Sequence, residues 1–483
     1  FYGPMEVASG RPLGGRLPPP DLIIQDELHL ISGPLGTIAG LYETVIDALA
    51  SWQIAERVVR PKVIASTATV RRADRQIRAL FARPQVAVFP PPGPNIRDSF
   101  FAVTEQAEQT PARRYVGVAA QGRSLKVILL RCALAILSAG QTQWHREGGS
   151  KSANNPVDPY MTLLGYFNSL RELGGSRRII EDEVRTRLEH YEKRRRLEPA
   201  DDCFTSRKIL YDVLELTSRI TTAGVSEAKR RLSLNFTDKD RVDVAFATNM
   251  ISVGLDITRL GLMMILGQPK TSAEYIQSTS RVGRDPGRPG LVITVLNLHK
   301  ARDRSHYERF GIYHAGFYRA VEATSVTPFS PRALDRALPG ALVALCRHWL
   351  TEMVPPLGAG QVVSHRAALN EVVRLFGERA FHNAACKDLF DAQELKDQVI
   401  RTGSDLLDAW ERIATEMQNT ATPFQYQRWE TQGPQRLLLD FLDAELANLS
   451  SDRQRFRVNR SMRDVEPSVE LTIKNLNSQW IRP

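Results

Sequence analysis

The sequence predicts an α/β protein: two lobes built on parallel sheets, the first of them incomplete, followed by a mainly helical region. Three observations predict it. Short apolar runs such as Leu22-Ile23-Ile24 end in polar or acidic residues. Stretches with helical apolar spacing separate these runs, which is the pattern of βαβ units. Strand patterns then disappear after about Lys300.

The elements follow in order. Leu22-Ile23-Ile24 is too short for a helix and too apolar for an exposed strand, so it is expected to be a central strand covered on both faces. Ionised acids do not belong inside such a sheet, and Asp26 and Glu27 are expected at its carboxyl end, where open α/β sheets bind ligands. Leu41, Val45, Ala48 and Leu49 recur at helical spacing, and Val63–Ala65 reads as the next strand. Prolines break regular structure in "FPPPGPNIRD", Phe89–Asp98. Ser124–Ser138 predicts an apolar helix, and Gln141–Pro159 a surface loop. A second α/β pattern comprises strands at Met161–Asn168, near Leu214, and at Val242–Ala247, Leu262–Leu266 and Leu291–Asn297. "RALPGALVALCRHWLTEMV" and "SDLLDAWERIATEMQ" are helical patterns. The expected division is 1–105, first lobe; 106–160, connection; 161–300, second lobe; and 301–483, helical region.

With 42% hydrophobic residues over 483 positions, the chain has material for ordinary cores. No run approaches the ~18 consecutive apolar residues of a membrane span. The start lacks the layout of a signal peptide, so a cytoplasmic location is expected. Cys132, Cys203, Cys346 and Cys386 are too scattered for a zinc module or a disulfide framework. A formal charge of +10 suits a polyanionic partner without specifying one. The densely charged stretch Arg177–Arg196 reads equally well as a solvated helix face laced with i,i+4 ion pairs.

An aspartate and glutamate after an apolar strand can hold Mg²⁺ through water and polarise an attacking water. A solvent-exposed strand end looks the same. Company decides between them. "DELH", Asp26–His29, resembles motif II of superfamily-2 helicases, and "TAT", Thr67–Thr69, is similar to their motif III. "ATNMISVGLDI", Ala247–Ile257, resembles motif V. "QSTSRVGRDPGRPG", from Gln277, resembles motif VI, with Ser280 where glycine is usual.

The resemblance implies two RecA-like lobes that bind ATP and Mg²⁺ between them. Asp26 would bind the metal and Glu27 would serve hydrolysis. His29, Thr67, Ala68 and Thr69 would couple the nucleotide to nucleic acid. Gly254, Asp256, Gln277, Arg281 and Arg284 would line the nucleotide site from the second lobe, with Arg284 as the arginine finger and Arg281 beside it. Thr248, Asn168, Ser169 and Arg219 would meet nucleic-acid phosphates. Asn168 and Ser169 also suit a plain strand-to-helix cap, and a backbone hydrogen bond would account for His29.

"LIIQDELHLISGPLGTIAGLYE", "GQPKTSAEYIQSTSRVGRD" and "EATSVTPFSPRALDRAL" are more specific, and resemble the helicase-like family of the bacterial DISARM anti-phage systems from about Asp21 to about Arg336. That resemblance implies phage DNA as a ligand and a DrmB-like protein partner. No G-x-x-x-x-G-K-[ST] precedes Asp26, and "SGRPLGG" lacks the lysine. The phosphate loop is therefore expected on an N-terminal portion of the same protein outside this sequence. The competing possibility is a DNA-binding scaffold that keeps the helicase shape without turning over ATP. A nuclease fits poorly, because no further acid cluster accompanies the one Mg²⁺ candidate.

Overall fold

Apolar runs without polar alternation build the larger sheet of the protein, and shorter, half-polar runs build a smaller one. The structure, a computed structural model, describes residues 18–67, 73–89, 100–101, 103, 105, 110, 113–152, 154–194, 203–217, 222–248, 256–317, 321–322, 325–383, 392–427, 435–441, 446, 448–458, 473–474 and 480–481. The chain divides into two units, residues 1–89 with 323–483 and residues 90–322.

The first unit opens with β1 (Leu22–Gln25), α1 (Gly33–Leu49), a hairpin of β2 (Trp52–Ile54) and β3 (Arg57–Val59), then β4 (Lys62–Ala65) and α2 (Ala73–Phe81). Strands β1 and β4 pair in parallel, Leu22 opposite Lys62 and Gln25 opposite Ala65. The expected strand covered on both faces is corrected here. Among the described residues β1 has β4 as its one strand partner, and Leu22, Ile24 and Ile64 are exposed, Ile24 by 68%. Alternate residues of both strands thus turn one face outward, while Val63 and Ala65 pack beside Leu28, Leu80 and Phe81.

The second unit contains β5 (Arg114–Val118), α3 (Leu125–Arg146), β6 (Leu163–Phe167), α4 (Leu170–Arg178), α5 (Arg185–Leu188), β7 (Leu214–Leu216), α6 (Thr222–Leu232), β8 (Val244–Ala247), β9 (Leu262–Leu266), α7 (Ser272–Thr279), β10 (Leu291–Val295), α8 (Ala301–Glu308) and α9 (Phe310–Ala315). Its six strands run parallel in the order β5-β10-β9-β6-β8-β7. This is the parallel sheet of an α/β lobe. Strands β6, β8 and β9 are buried along their whole length, as continuous apolar runs require when helices cover both faces.

The expected loop from Gln141 is helix as far as Arg146, since α3 begins on the Ser124 cap and ends with His145 and Arg146 in its last turn. This helix is long and apolar enough to cross a membrane. Here Leu129, Ala133, Leu134 and Leu137 are buried in the core of the second unit. Strand β5, within the expected connection, is an edge strand of the sheet.

Residues 301–322 belong to this unit. The buried Asp303 carboxylate accepts N–H bonds from Gln268 and Asn297, at 3.2 and 3.0 Å. A Cβ on Gly117 would sit 2.9 Å from the Phe310 ring, so α9 lies directly against β5.

The chain then returns to the first unit through α10 (Pro331–Trp349), α11 (Val362–His365), α12 (Asn370–His382), α13 (Ala392–Asn419) and α14 (Ser451–Gln454). Ile38, Leu41 and Val45 of α1 share one core with Leu338 and Leu342 of α10 and Trp410 of α13. Among the described residues, three pairs of two-residue strands lie between Phe424 and Ile481, where the sequence predicts helices without strands.

Candidate functional site

Asp26 and Glu27 follow β1 directly, on the turn that leads into Leu28–Leu30. The Asp26 Oδ1 accepts the Glu27 N–H at 2.8 Å and the Ser66 hydroxyl at 2.9 Å. Glu27 has left-handed backbone angles, φ 52° and ψ 44°, which cost a non-glycine residue free energy and cluster at functional sites. Its Oε2 lies 3.3 Å from His29 Nδ1, and the His29 side chain is only 6% exposed. The two strand ends are joined by Ser66 N–H to Gln25 O at 2.8 Å and Leu28 N–H to Ser66 O at 2.9 Å. From α2, the buried Gln76 amide donates to Ile31 O at 2.8 Å and Leu28 O at 3.4 Å.

Thr67 is exposed next to Ser66. Ala68 and Thr69 lie outside the described residues. The turn after the acids is thus tied to the end of β4 and to the helix beyond it. Neither Ser66 nor Gln76 was singled out from the sequence. A hydroxyl residue closing the β4 run is the only signal for Ser66, and Gln76 carries none.

The exposed Asp26 carboxylate suits Mg²⁺ held through water, because Mg²⁺ keeps several waters and takes one or two carboxylates. Among the described residues no group of three or more His, Cys, Asp or Glu could cage a metal by protein ligands alone.

In the second unit, α7 starts on the Thr271 cap and ends at Thr279. The turn that follows carries Arg281 and Arg284. Arg284 pairs with Asp256 and donates from Nε to Ser280 O at 3.1 Å. Arg281 is partly buried. Gly283, with φ 65°, donates to Leu260 O at 2.8 Å, and a Cβ there would fall 2.3 Å from Gly290 N. Only glycine meets both demands. The buried Tyr166 hydroxyl donates to Glu274 at 2.5 Å, and burial, with the Glu274 charge, pushes the phenol far above its usual range. Gln277 is buried in α7.

Other expected residues are placed as follows. Asn168 donates to Leu266 O and Gly267 O, at 3.1 and 3.3 Å. Ser169 caps α4 by accepting the Glu172 N–H at 3.3 Å. Thr248 is buried and donates its N–H to Leu216 O at 3.4 Å. Gly254 and Arg219 lie outside the described residues.

Comparison with known proteins follows from this geometry. The family described as the helicase conserved C-terminal domain matches residues 189–286. The DISARM protein DrmA of Bacillus paralicheniformis is 44% identical over 344 residues, covering 71% of this chain and 30% of that protein. Over that stretch the chain is similar to DrmA. It spans about a third of the length of the DrmA protein that it matches. The solved structures similar to this chain include DUF1998 helicase MrfA bound to DNA, at 14% identity and a TM-score of 0.41, covering 70% of this chain and 35% of that one. Mycobacterium smegmatis helicase Lhr bound to ssDNA and AMP-PNP is 13% identical with a TM-score of 0.43, covering 80% of this chain and 38% of that one.

Proposed function

We propose that the chain is part of an ATP-dependent DNA helicase or translocase-like subunit of a bacterial anti-phage defence system, acting in the cytoplasm with a DrmB-like partner. The observation that carries it is the Asp26–Glu27 turn, whose aspartate is held by Ser66 and whose following residues are held by Gln76. An exposed strand end needs no such fixing. In the working protein Asp26 would hold hydrated Mg²⁺, which would supply charge to screen the phosphates, and Glu27 would orient and deprotonate the attacking water. Arg281 and Arg284 then stabilise the charge that spreads over the γ-phosphoryl oxygens. An N-terminal portion of the same protein supplies the phosphate loop. Among the described residues Leu22, Ile24 and Ile64 leave an apolar face of the sheet exposed, which supports this.

DNA is bound mainly through its phosphates, with Thr248, Asn168, Ser169 and Arg219 as the candidate contacts. The test is Glu27→Gln in the full-length protein. ATP turnover should drop by about 10² to 10⁴, the usual worth of a general base, while ATP and DNA binding persist. Hydrolysis at the wild-type rate would remove the role assigned to Glu27.

A second possibility, a DNA-binding scaffold that does not hydrolyse ATP, is favoured by one observation: Arg284 is already engaged by Asp256. On that alternative the full-length wild-type protein binds DNA and shows no DNA-stimulated turnover.

A further inference from the structure

Two side chains outside every helicase-like motif grip the helix and turn that carry Arg281 and Arg284. Arg113, immediately before β5, donates from Nε to Val282 O at 2.7 Å and from Nη2 to Ser280 O at 3.4 Å and Gly283 O at 3.5 Å. One guanidinium thus spans the carbonyls on either side of Arg281 and the one before Arg284. At the opposite end, the Glu322 carboxylate accepts the Ser272 N–H at 3.0 and 2.8 Å and the Ser272 hydroxyl at 3.1 Å. Ser272 Oγ in turn accepts the Tyr313 hydroxyl at 3.1 Å. Tyr115, two residues after Arg113, reaches Thr279 at 3.3 Å.

Helix ends leave unpaired N–H and C=O groups, and acids at the start and cations at the end satisfy them. Capping alone would explain one such residue from anywhere in the chain. What it does not explain is where these two sit. Glu322 is the last residue of the second unit, and Arg113 is the last residue before the first strand of that unit. The residue before β5 thus meets the turn after α7, and the last residue of the unit meets the start of α7. We infer that Arg113 and Glu322 are positioning residues, which hold the arginine-bearing turn and the start of its helix from outside the motif and set the register of Arg281 and Arg284. Each residue thus holds one end of this eight-residue helix, while Gly283 and Leu260 hold the far side of the turn. The inference rests on the catalytic role proposed above for the two arginines.

The test uses the full-length protein with Arg113→Gln, Arg113→Lys, Glu322→Ala and Glu322→Gln. Amide exchange is followed by mass spectrometry, and ATP turnover is measured against ATP concentration. Exchange should quicken over 280–284 in R113Q and over 272–275 in E322A, with no change elsewhere in the second unit. In both variants kcat should fall about tenfold or more, with KM for ATP changed by less than about threefold, because an interaction that acts on the transition state lowers kcat selectively. Glu322→Gln, which keeps one acceptor for the Ser272 N–H, should recover part of the loss. If R113Q or E322A fails to fold, R113K and E322Q carry the same comparison.

Unchanged exchange at the helix ends overturns the inference, and so does faster exchange with kcat intact, which would make the two residues caps and nothing more. If the wild-type protein shows no turnover, the proposed function fails on its own, and the exchange pattern alone decides whether Arg113 and Glu322 hold the turn.

Discussion

Ser66 meets the acid that the sequence singled out, and neither strand end is fixed without the other. Removing its hydroxyl leaves the Asp26 carboxylate with one fewer donor and lets it turn. Ser66→Ala should therefore lower kcat for ATP about tenfold while leaving the fold intact, by the reasoning that a misoriented group loses transition-state contact. Steady-state kinetics of the full-length protein with an unfolding scan checks both halves of that statement. A second residue-scale case concerns stability alone. Asp243 and Arg207, each 1% exposed in its side chain, pair at 2.7 Å, and Asp243 also accepts the Leu210 N–H at 2.8 Å. Burial pulls the Arg207 guanidinium below its usual range, and the Asp243 carboxylate opposes that. Asp243→Ala strands a buried cation and should cost about 3–5 kcal/mol in denaturant unfolding.

At the level of elements, close packing leaves marks that a single substitution reads. A Cβ on Gly165 in β6 would fall 2.6 Å from the Phe246 ring, which is rigid and buried beneath α3 and α4. Gly165→Ala should destabilise the second unit by about 1–3 kcal/mol through overpacking, less the ~0.5–1 kcal/mol that a strand glycine costs. Thermal unfolding of the variant reports the balance.

Legibility followed the same packing logic. Leu262–Leu266 was readable because five consecutive apolar residues buried on both faces admit few other fates. Arg114–Val118 was not, because a sheet edge tolerates an arginine and a glycine, which blur the pattern. The acids at Asp26 and Glu27 and the arginine turn were legible as motifs, since chemistry fixes their residue types. Their supports were not: Gln76 and Arg113 lie 45 and 169 residues from the carbonyls of Ile31 and Val282 that they bind. No local spacing records such a contact. The strand at Leu22 was misjudged on one face because its cover depends on more than the residues beside it.

On the scale of the whole chain, the region after residue 330 joins the unit that contains the acids. Arg379 of α12 donates to the Asp47 carboxylate at 2.8 Å and to Leu80 O at 3.1 Å, and Arg83 donates to Asp47 at 2.7 Å. Burial pulls the Arg379 guanidinium down to about 10. Asn383 reaches Ala79 O at 2.8 Å. The end of α2 is therefore closed by α12, and α2 is the helix whose Gln76 holds the turn after the acids. Asp47→Ala should destabilise the first unit by about 3–5 kcal/mol and leave the second unit unaltered, seen as the shift of one of two calorimetric transitions.

Acidification should do the reverse. Burial lowers the pKa of His306 and His314 in the second unit below the ordinary 6.5. Between the folded pKa and 6.5 the unfolded chain binds more protons, so stability is full above 6.5 and declines as pH falls through that window. The transition of the second unit should move to lower temperature between pH 7 and pH 5.5, and replacing both histidines by Gln should flatten that dependence.

Because the first unit is built from residues 1–89 and 323–483, the second unit is threaded into it as an insertion. During synthesis, at roughly 5–20 residues per second, Asp47 leaves the ribosome well before Arg379 exists. The early segment must wait for the whole intervening unit to be made before its buried carboxylate finds its cation. Excising the insertion and joining its flanks, rather than truncating either end, is then the way to keep Asp47 and Arg379 together in one chain.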